Sequence, residues 1–206
     1  MTHMKTLALV VFAALVAMAV IGAASVSATT LCKANETPCS EKNEWEEEKE
    51  GKDIPVIVKA SSVEVTFGGA VATKCKKSSL SGLAIDTEQE EDNVPLEFST
   101  KTLSFGECGG CNKVEAQGLS WEGGTLEAGE KGNGVLTLAT PKIFFEKCTE
   151  KTCTASATGA ALDFVGGSPA QLKAVEEPLG AGTCGKVIWT GTYKVEEPTP
   201  VWAVKE

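Results

Sequence analysis

The chain contains no arginine, and its single histidine, His3, stands close to the N-terminus. Only four of its 28 acidic residues are aspartate, and aromatic residues make up 6% of the sequence. Each shortage excludes something. Arginine supplies the planar, two-pronged recognition of phosphate and carboxylate groups. A chain without it, with a formal charge of −9, repels nucleic acid and anionic membrane surfaces as a whole. Histidine is the side chain whose ordinary titration falls near neutral pH. Without one beyond residue 3, Ser-His-Asp and Cys-His catalysis in their ordinary forms are ruled out. So are His-ligated zinc, copper and iron centres. There is no Walker A run, and Gly106 to Gly110 is not a dinucleotide loop, because it contains Cys108 and no helical pattern follows it. Past residue 28 no apolar stripe of helical period is sustained over twelve residues.

What is present begins with a leader. Lys5 precedes an apolar run from Leu7 to Ala24, and Ser25-Val26-Ser27-Ala28 then places small residues at the positions a signal peptidase reads. Residues 1–28 are expected to form a signal-peptide helix cleaved after Ala28. The alternative is an uncleaved anchor, since a run of about 18 residues is the lower limit for a spanning helix. Lipid attachment at Cys32 is disfavoured by the bulky Leu31 before it. The remaining stretch, Thr29 to Glu206, carries 18 Lys against 28 acids. It divides into an irregular acidic segment, 29–53, around Glu44-Trp45-Glu46-Glu47-Glu48, and a single all-β domain, 54–206. With no second apolar run of spanning length, the mature form is expected not to cross a membrane.

All eight cysteines follow the leader: Cys32, Cys39, Cys75, Cys108, Cys111, Cys148, Cys153 and Cys184. An even number behind a signal peptide implies structural disulfides. Cys32 and Cys39 are expected to close a small N-terminal loop, and Cys75 and Cys108 to join two strands. For the rest, Cys148 pairs with Cys153 across a hairpin or with Cys184 on a later strand. Cys108-Gly109-Gly110-Cys111 also has the spacing of a zinc knuckle or a thiol redox site. Zinc lacks a second such pair and a histidine. The redox reading lacks the strand-to-helix setting, because Leu103-Ser104-Phe105 and Val114-Glu115-Ala116 both read as extended.

From Ile54 onward the apolar pattern has period two. Val63-Glu64-Val65-Thr66-Phe67 and Ala70 to Cys75 flank Gly68-Gly69 and read as a hairpin. Further short strands follow, separated by Gly109-Gly110, Gly123-Gly124, Gly132-Asn133-Gly134 and Gly166-Gly167-Ser168-Pro169. Such spacing predicts an antiparallel β-sandwich or barrel with disulfides.

Candidate chemistry is sparse. No two carboxylates stand out as a glycosidase pair. Ser78-Ser79 after Lys76-Lys77 allows a Ser-Lys dyad but reads as a polar turn. The acidic run Asp86 to Asp92 offers hard oxygen ligands for calcium, without EF-hand spacing, and reads as a solvated loop. No cofactor is implied. Of the four tryptophans, Trp121 and Trp189 lie on alternating strands. They read as core, with a sugar-stacking ligand platform as the alternative.

Several segments carry a resemblance. They are Leu31-Cys32 with Pro38-Cys39, Cys75-Lys76-Lys77-Ser78-Ser79-Leu80-Ser81-Gly82, Gly167-Ser168-Pro169-Ala170 with Glu176-Glu177-Pro178-Leu179, and Trp189-Thr190-Gly191-Thr192-Tyr193. Together they resemble a group of secreted, cysteine-containing, β-rich proteins of soil actinobacteria. The resemblance spans the chain after the leader and brings no activity with it. The expected role is a non-enzymatic secreted or envelope-associated binding or structural module, with a cell-wall or extracellular glycan or protein as partner and no nucleic acid. The alternatives are a secreted carboxylate-dependent hydrolase and a thiol-disulfide protein acting through the 108–111 CxxC.

Overall fold

The computed structural model of the chain describes residues 28–45, 53–67, 71–85, 95–148 and 151–205. The leader, save Ala28, lies outside the described residues, as do Glu46 to Glu48, the Gly68-Gly69 turn and the 86–92 acidic run. No described helix is long and apolar enough to cross a membrane. The fold is all-β.

Alternation dictates the strands. In β2 (Asp53–Ala60) Ile54, Val58 and Ala60 turn inward while Asp53, Pro55 and Lys59 face out. β3 (Val63–Phe67) continues it after Ser61-Ser62. Both pair with β4 (Val71–Ile85) in one unbroken register, Ala60 opposite Ser78 and Val63 opposite Cys75. β5 (Leu96–Cys108) runs back along β4 from Ile85↔Glu97 to Cys75↔Cys108. β6 (Lys113–Ala116) and β7 (Trp121–Ala128) then share the far side of β5. β8 (Gly134–Ala139) with β9 (Lys142–Cys148), and β10 (Lys151–Ser156) with β11 (Gly159–Val165), make one long ribbon. Its register carries through both kinks, from Gly134↔Phe164 to Lys142↔Ser156. β12 (Gln171–Pro178) and the short β13 (Ala181–Gly182) return beside it, and β14 (Val187–Glu197) closes onto β2 and β3. Each stave thus neighbours the next in sequence and the last meets the first. The product is an eight-stranded antiparallel barrel.

One end of the barrel is capped. β1 (Thr29–Cys32) pairs with β15 (Trp202–Lys205) as a separate two-stranded sheet. The Ala128 amide donates to Thr29 Oγ1 at 2.9 Å, the Ala203 amide to the Gly132 carbonyl at 3.1 Å, and Trp45 Nε1 to the Pro200 carbonyl at 2.9 Å. A Cβ on Gly132 or Gly166 would collide with the Trp202 ring, so both positions require glycine. Leu31, Pro198 and Val201 seat against Phe98, Leu126 and Phe164 and leave a cavity of only about 20 Å³. That is room for about one water. The barrel is therefore filled at this end, not hollow.

The opposite end is stapled by Cys75–Cys108, Cys111–Cys148 and Cys153–Cys184, while Cys32–Cys39 closes a loop in the cap. The pairings expected for Cys32–Cys39 and Cys75–Cys108 are found. Those expected for Cys148 are not. Its cross-strand neighbour is Lys151, and Cys153 sits opposite Phe145, so Cys148 and Cys153 do not face each other. On its other side Lys113 lies opposite Glu146, and that register carries Cys111 to Cys148.

Two further expectations are corrected. Thr29–Cys32 is a strand rather than part of an irregular segment, held by the C-terminal strand on which Leu31 and Cys32 are buried. Lys76 to Ser81 is not a turn but the middle of β4. Ser78 points inward, 4% exposed, and donates to the Ser104 carbonyl at 2.8 Å, leaving its oxygen to accept from the Tyr193 hydroxyl at 2.8 Å. A satisfied inward serine breaks the apolar rhythm without breaking the strand.

Candidate functional site

Among the described residues the barrel wall loses backbone pairing between β11 and β12 beyond Asp163↔Lys173, and again between β5 and β6, where a groove results. Between Thr100, where β7 leaves β5, and Cys108, the only position of β5 paired on this side is Ser104, opposite Glu115 of β6. That register would next bring Gly106 opposite Lys113 and Thr102 opposite Gln117, and neither pair forms. The parted strands border a groove of about 440 Å³. That size falls within the usual range for small-molecule sites. Leu103, Phe105, Val114 and Ala116 form its apolar floor. Glu107, Asn112, Lys113 and Glu115 form the rim, with Leu119, 37% exposed, at one end. Cys108 and Cys111 line the groove half-buried, each already bonded to a buried partner on another strand.

The floor is stiff. Phe105 meets Trp189 edge-on at 6.3 Å between ring centroids, and Trp189 meets Tyr193 edge-on at 5.8 Å. Burial pushes the Tyr193 hydroxyl pKa well above its usual value, so the phenol stays neutral and serves as a hydrogen-bond donor to Ser78. The rim is charged but paired. Glu107 bridges Lys76 and Lys77, and Lys113 holds Glu115 at 2.8 Å. The hydrogen bond and charge of Lys77 hold the Glu107 carboxyl below the usual carboxylate range and raise the Lys77 ammonium in turn.

The residues singled out in the sequence fall elsewhere. Trp121 is 3% exposed and Trp189 0%, so neither offers a ring face to a sugar. Trp121 donates from Nε1 to the Gln117 carbonyl at 3.0 Å and pins the strand break beside the groove. Reading the sequence as a run of short strands missed the groove itself, because the loss of pairing between β5 and β6 has no apolar signature. The three residues between Ala116 and Ser120 are the one trace of it, an interruption within an otherwise alternating stave.

Among the described residues one cluster has the composition of a metal site: Cys32, Glu36 and Cys39. Its donors are already used. The two sulfurs are bonded to each other. The Glu36 carboxylate accepts from the Ser40 amide at 2.9 Å, from the Ser40 hydroxyl, and from Asn43 Nδ2 at 2.8 Å. The Ser40 hydroxyl, then Asn43, hold the Glu36 pKa at about 2, down from 4.5. A depressed carboxyl stabilises the loop above the ordinary carboxylate range, and that contribution fades as pH falls toward about 2. Amide-exchange protection at Ser40 is expected to drop over that acid window. In Glu36→Gln it should be weaker than in the unmodified chain above that window and show no acid dependence.

No protein-family model matches the chain, and no curated protein or solved structure matches it.

Proposed function

We propose that the chain is a secreted, non-enzymatic binding module that takes its ligand in the groove between β5 and β6. The observation that carries this reading is the parted wall, where an apolar floor lies beside strand backbone with no sheet partner. A ligand with an apolar body and amide or hydroxyl groups meets both requirements. Four disulfides with no free cysteine among the described residues support an oxidising compartment, hence export.

The hydrolase alternative meets an electrostatic difficulty at this groove. Glu107 and Glu115 both line it, and a glycosidase needs one carboxyl held neutral near pH 7 to donate a proton. Glu107 is shifted the opposite way and Glu115 is paired to Lys113. The thiol alternative is disfavoured because Cys108 and Cys111 belong to different disulfides.

A glycan array and a cell-wall pull-down with the purified exported protein test the proposal. The expected ligand binds the unmodified protein and is lost from Ala116→Trp, which fills the groove, while the melting temperature is kept. Capture that survives the filled groove, or turnover of chromogenic glycosides, would defeat the reading.

A further inference from the structure

The fold treats the two gaps in its wall differently. Between β11 and β12 the register would next bring Ala161 opposite Val175, but β12 bulges there and Val175 stands 64% exposed. The freed Ala161 amide is not left bare: it donates to Glu177 Oε1 at 2.7 Å. The chain thus closes this gap with a side chain of its own. At the β5–β6 gap it does not. The Ser104 carbonyl points to β4, where it accepts from the Ser78 hydroxyl. Peptide groups alternate in direction along a strand, so those of Leu103 and Phe105 point into the gap. On the other side the Gln117 amide points to β9 and donates to the Lys142 carbonyl at 2.8 Å. By the same alternation Val114 and Ala116 face β5. Ser104↔Glu115 is the one pairing between these edges, and among the described residues no side chain hydrogen-bonds to the backbone of Leu103, Phe105, Val114 or Ala116.

What lines the gap narrows the ligand. Leu103 and Phe105 on β5, and Val114 and Ala116 on β6, stand two residues apart, so each edge presents apolar side chains at strand period. An extended peptide carries its side chains at the same period. The rim charges Glu107 and Glu115 are matched within the chain, by Lys76 and Lys77 and by Lys113. A charged ligand would have to displace one of these pairs. The one ring in the lining is Phe105, half-buried against Trp189, so a sugar finds no indole face to stack on.

We infer that the groove takes an extended, uncharged segment of another protein chain, apolar at alternate positions, held by strand-like hydrogen bonds to the edge of β5. This rests on the groove being the binding site and adds what fills it. Such a segment supplies both things the gap lacks. Its backbone N–H and C=O groups alternate at the spacing of Leu103 and Phe105, and its side chains cover the floor they share with Val114 and Ala116. β5 is the edge used because, apart from Ser104, no position from 101 to 107 is paired on this side. That stretch is roughly 20 Å long, which suits a segment of about seven residues. The lone Ser104↔Glu115 pairing is given up for the new strand, while β6 stays held by β9 and by Cys111–Cys148.

The test is a bead library of acetylated, amide-ended heptapeptides, apolar at alternate positions with serine or threonine between, screened against the disulfide-intact exported protein. Peptides are expected to be enriched by the unmodified protein and lost from Ala116→Trp. Each backbone amide of an enriched peptide is then N-methylated in turn. Every second methyl group should weaken binding by about tenfold, the worth of one hydrogen bond, and those between should have little effect. Equal sensitivity at all amides would overturn strand pairing without any variant of the protein being needed. An empty screen would overturn the inference as well. A glycan captured by the unmodified protein and lost from Ala116→Trp would then show that the groove reading survives it. Enriched peptides that still bind Ala116→Trp would sink the groove reading and this inference together. Self-association lost from Ala116→Trp, with no peptide enriched, would make a second copy the occupant and overturn the partner inferred here.

Discussion

Replacing Cys111 and Cys148 together by serine is expected to lower the unfolding free energy by about 4 kcal/mol, the value that loop-closure entropy assigns to a sequence separation of 37. Cys75–Cys108 and Cys153–Cys184, with separations of 33 and 31, should each cost nearly as much, and Cys32–Cys39, with a separation of 7, about 2 kcal/mol. The ranking has a structural side as well. The three long bridges tie consecutive staves at the end of the barrel that carries no cap. Loss of Cys111–Cys148 frees the β5–β6 hairpin where its own pairing is already reduced to Ser104↔Glu115. Loss of Cys32–Cys39 loosens only the cap loop, which β1–β15 pairing and the Trp45–Pro200 hydrogen bond still hold. Urea unfolding of the four double-serine variants, each made without touching the other bridges, measures the order. An equal cost for the short bridge and the long ones would show that native contacts outweigh chain entropy here.

The barrel was legible because its staves alternate. Val63-Glu64-Val65 and Leu136-Thr137-Leu138 place every second side chain inside, and Gly109-Gly110 marks a turn, whereas Gly123-Gly124, expected to separate strands, lies inside β7. Where the sequence misled, a polar residue had found an internal partner. Ser78 looked like a turn and is a buried link between Tyr193 and Ser104. The cap was hidden for another reason: β1 has four residues and its partner lies at the other end of the chain, so nothing local announces it. Cysteine pairing was legible only for neighbours in sequence and for the facing strand ends at Cys75 and Cys108. Cys111–Cys148 depends on a β6–β9 register that no short pattern encodes. The groove belongs to the same class, since it exists where two strands fail to pair.

Trp189→Ala is expected to cost about 3–5 kcal/mol, the usual range for removing a large aromatic from a packed core. The ring is fully buried and wedged edge-on against both Phe105 and Tyr193. Its Nε1 has no hydrogen-bond partner among the described residues, a desolvation cost of about 1–3 kcal/mol that the native fold carries. Trp189→Phe removes that orphan donor along with part of the ring, so the two effects oppose each other. It should therefore destabilise far less than Trp189→Ala, by no more than about 2 kcal/mol. The pair of variants separates two roles for this residue. A ring that served as an exposed ligand platform would leave the melting temperature almost unchanged when removed and would abolish ligand capture outright. A ring that backs the groove does the reverse: stability falls first, and capture weakens because Phe105 loses the surface that fixes it in the groove floor. Calorimetry beside the binding assay decides between them. A Trp189→Ala protein that melts with the unmodified chain would contradict the packed core on which the groove floor depends.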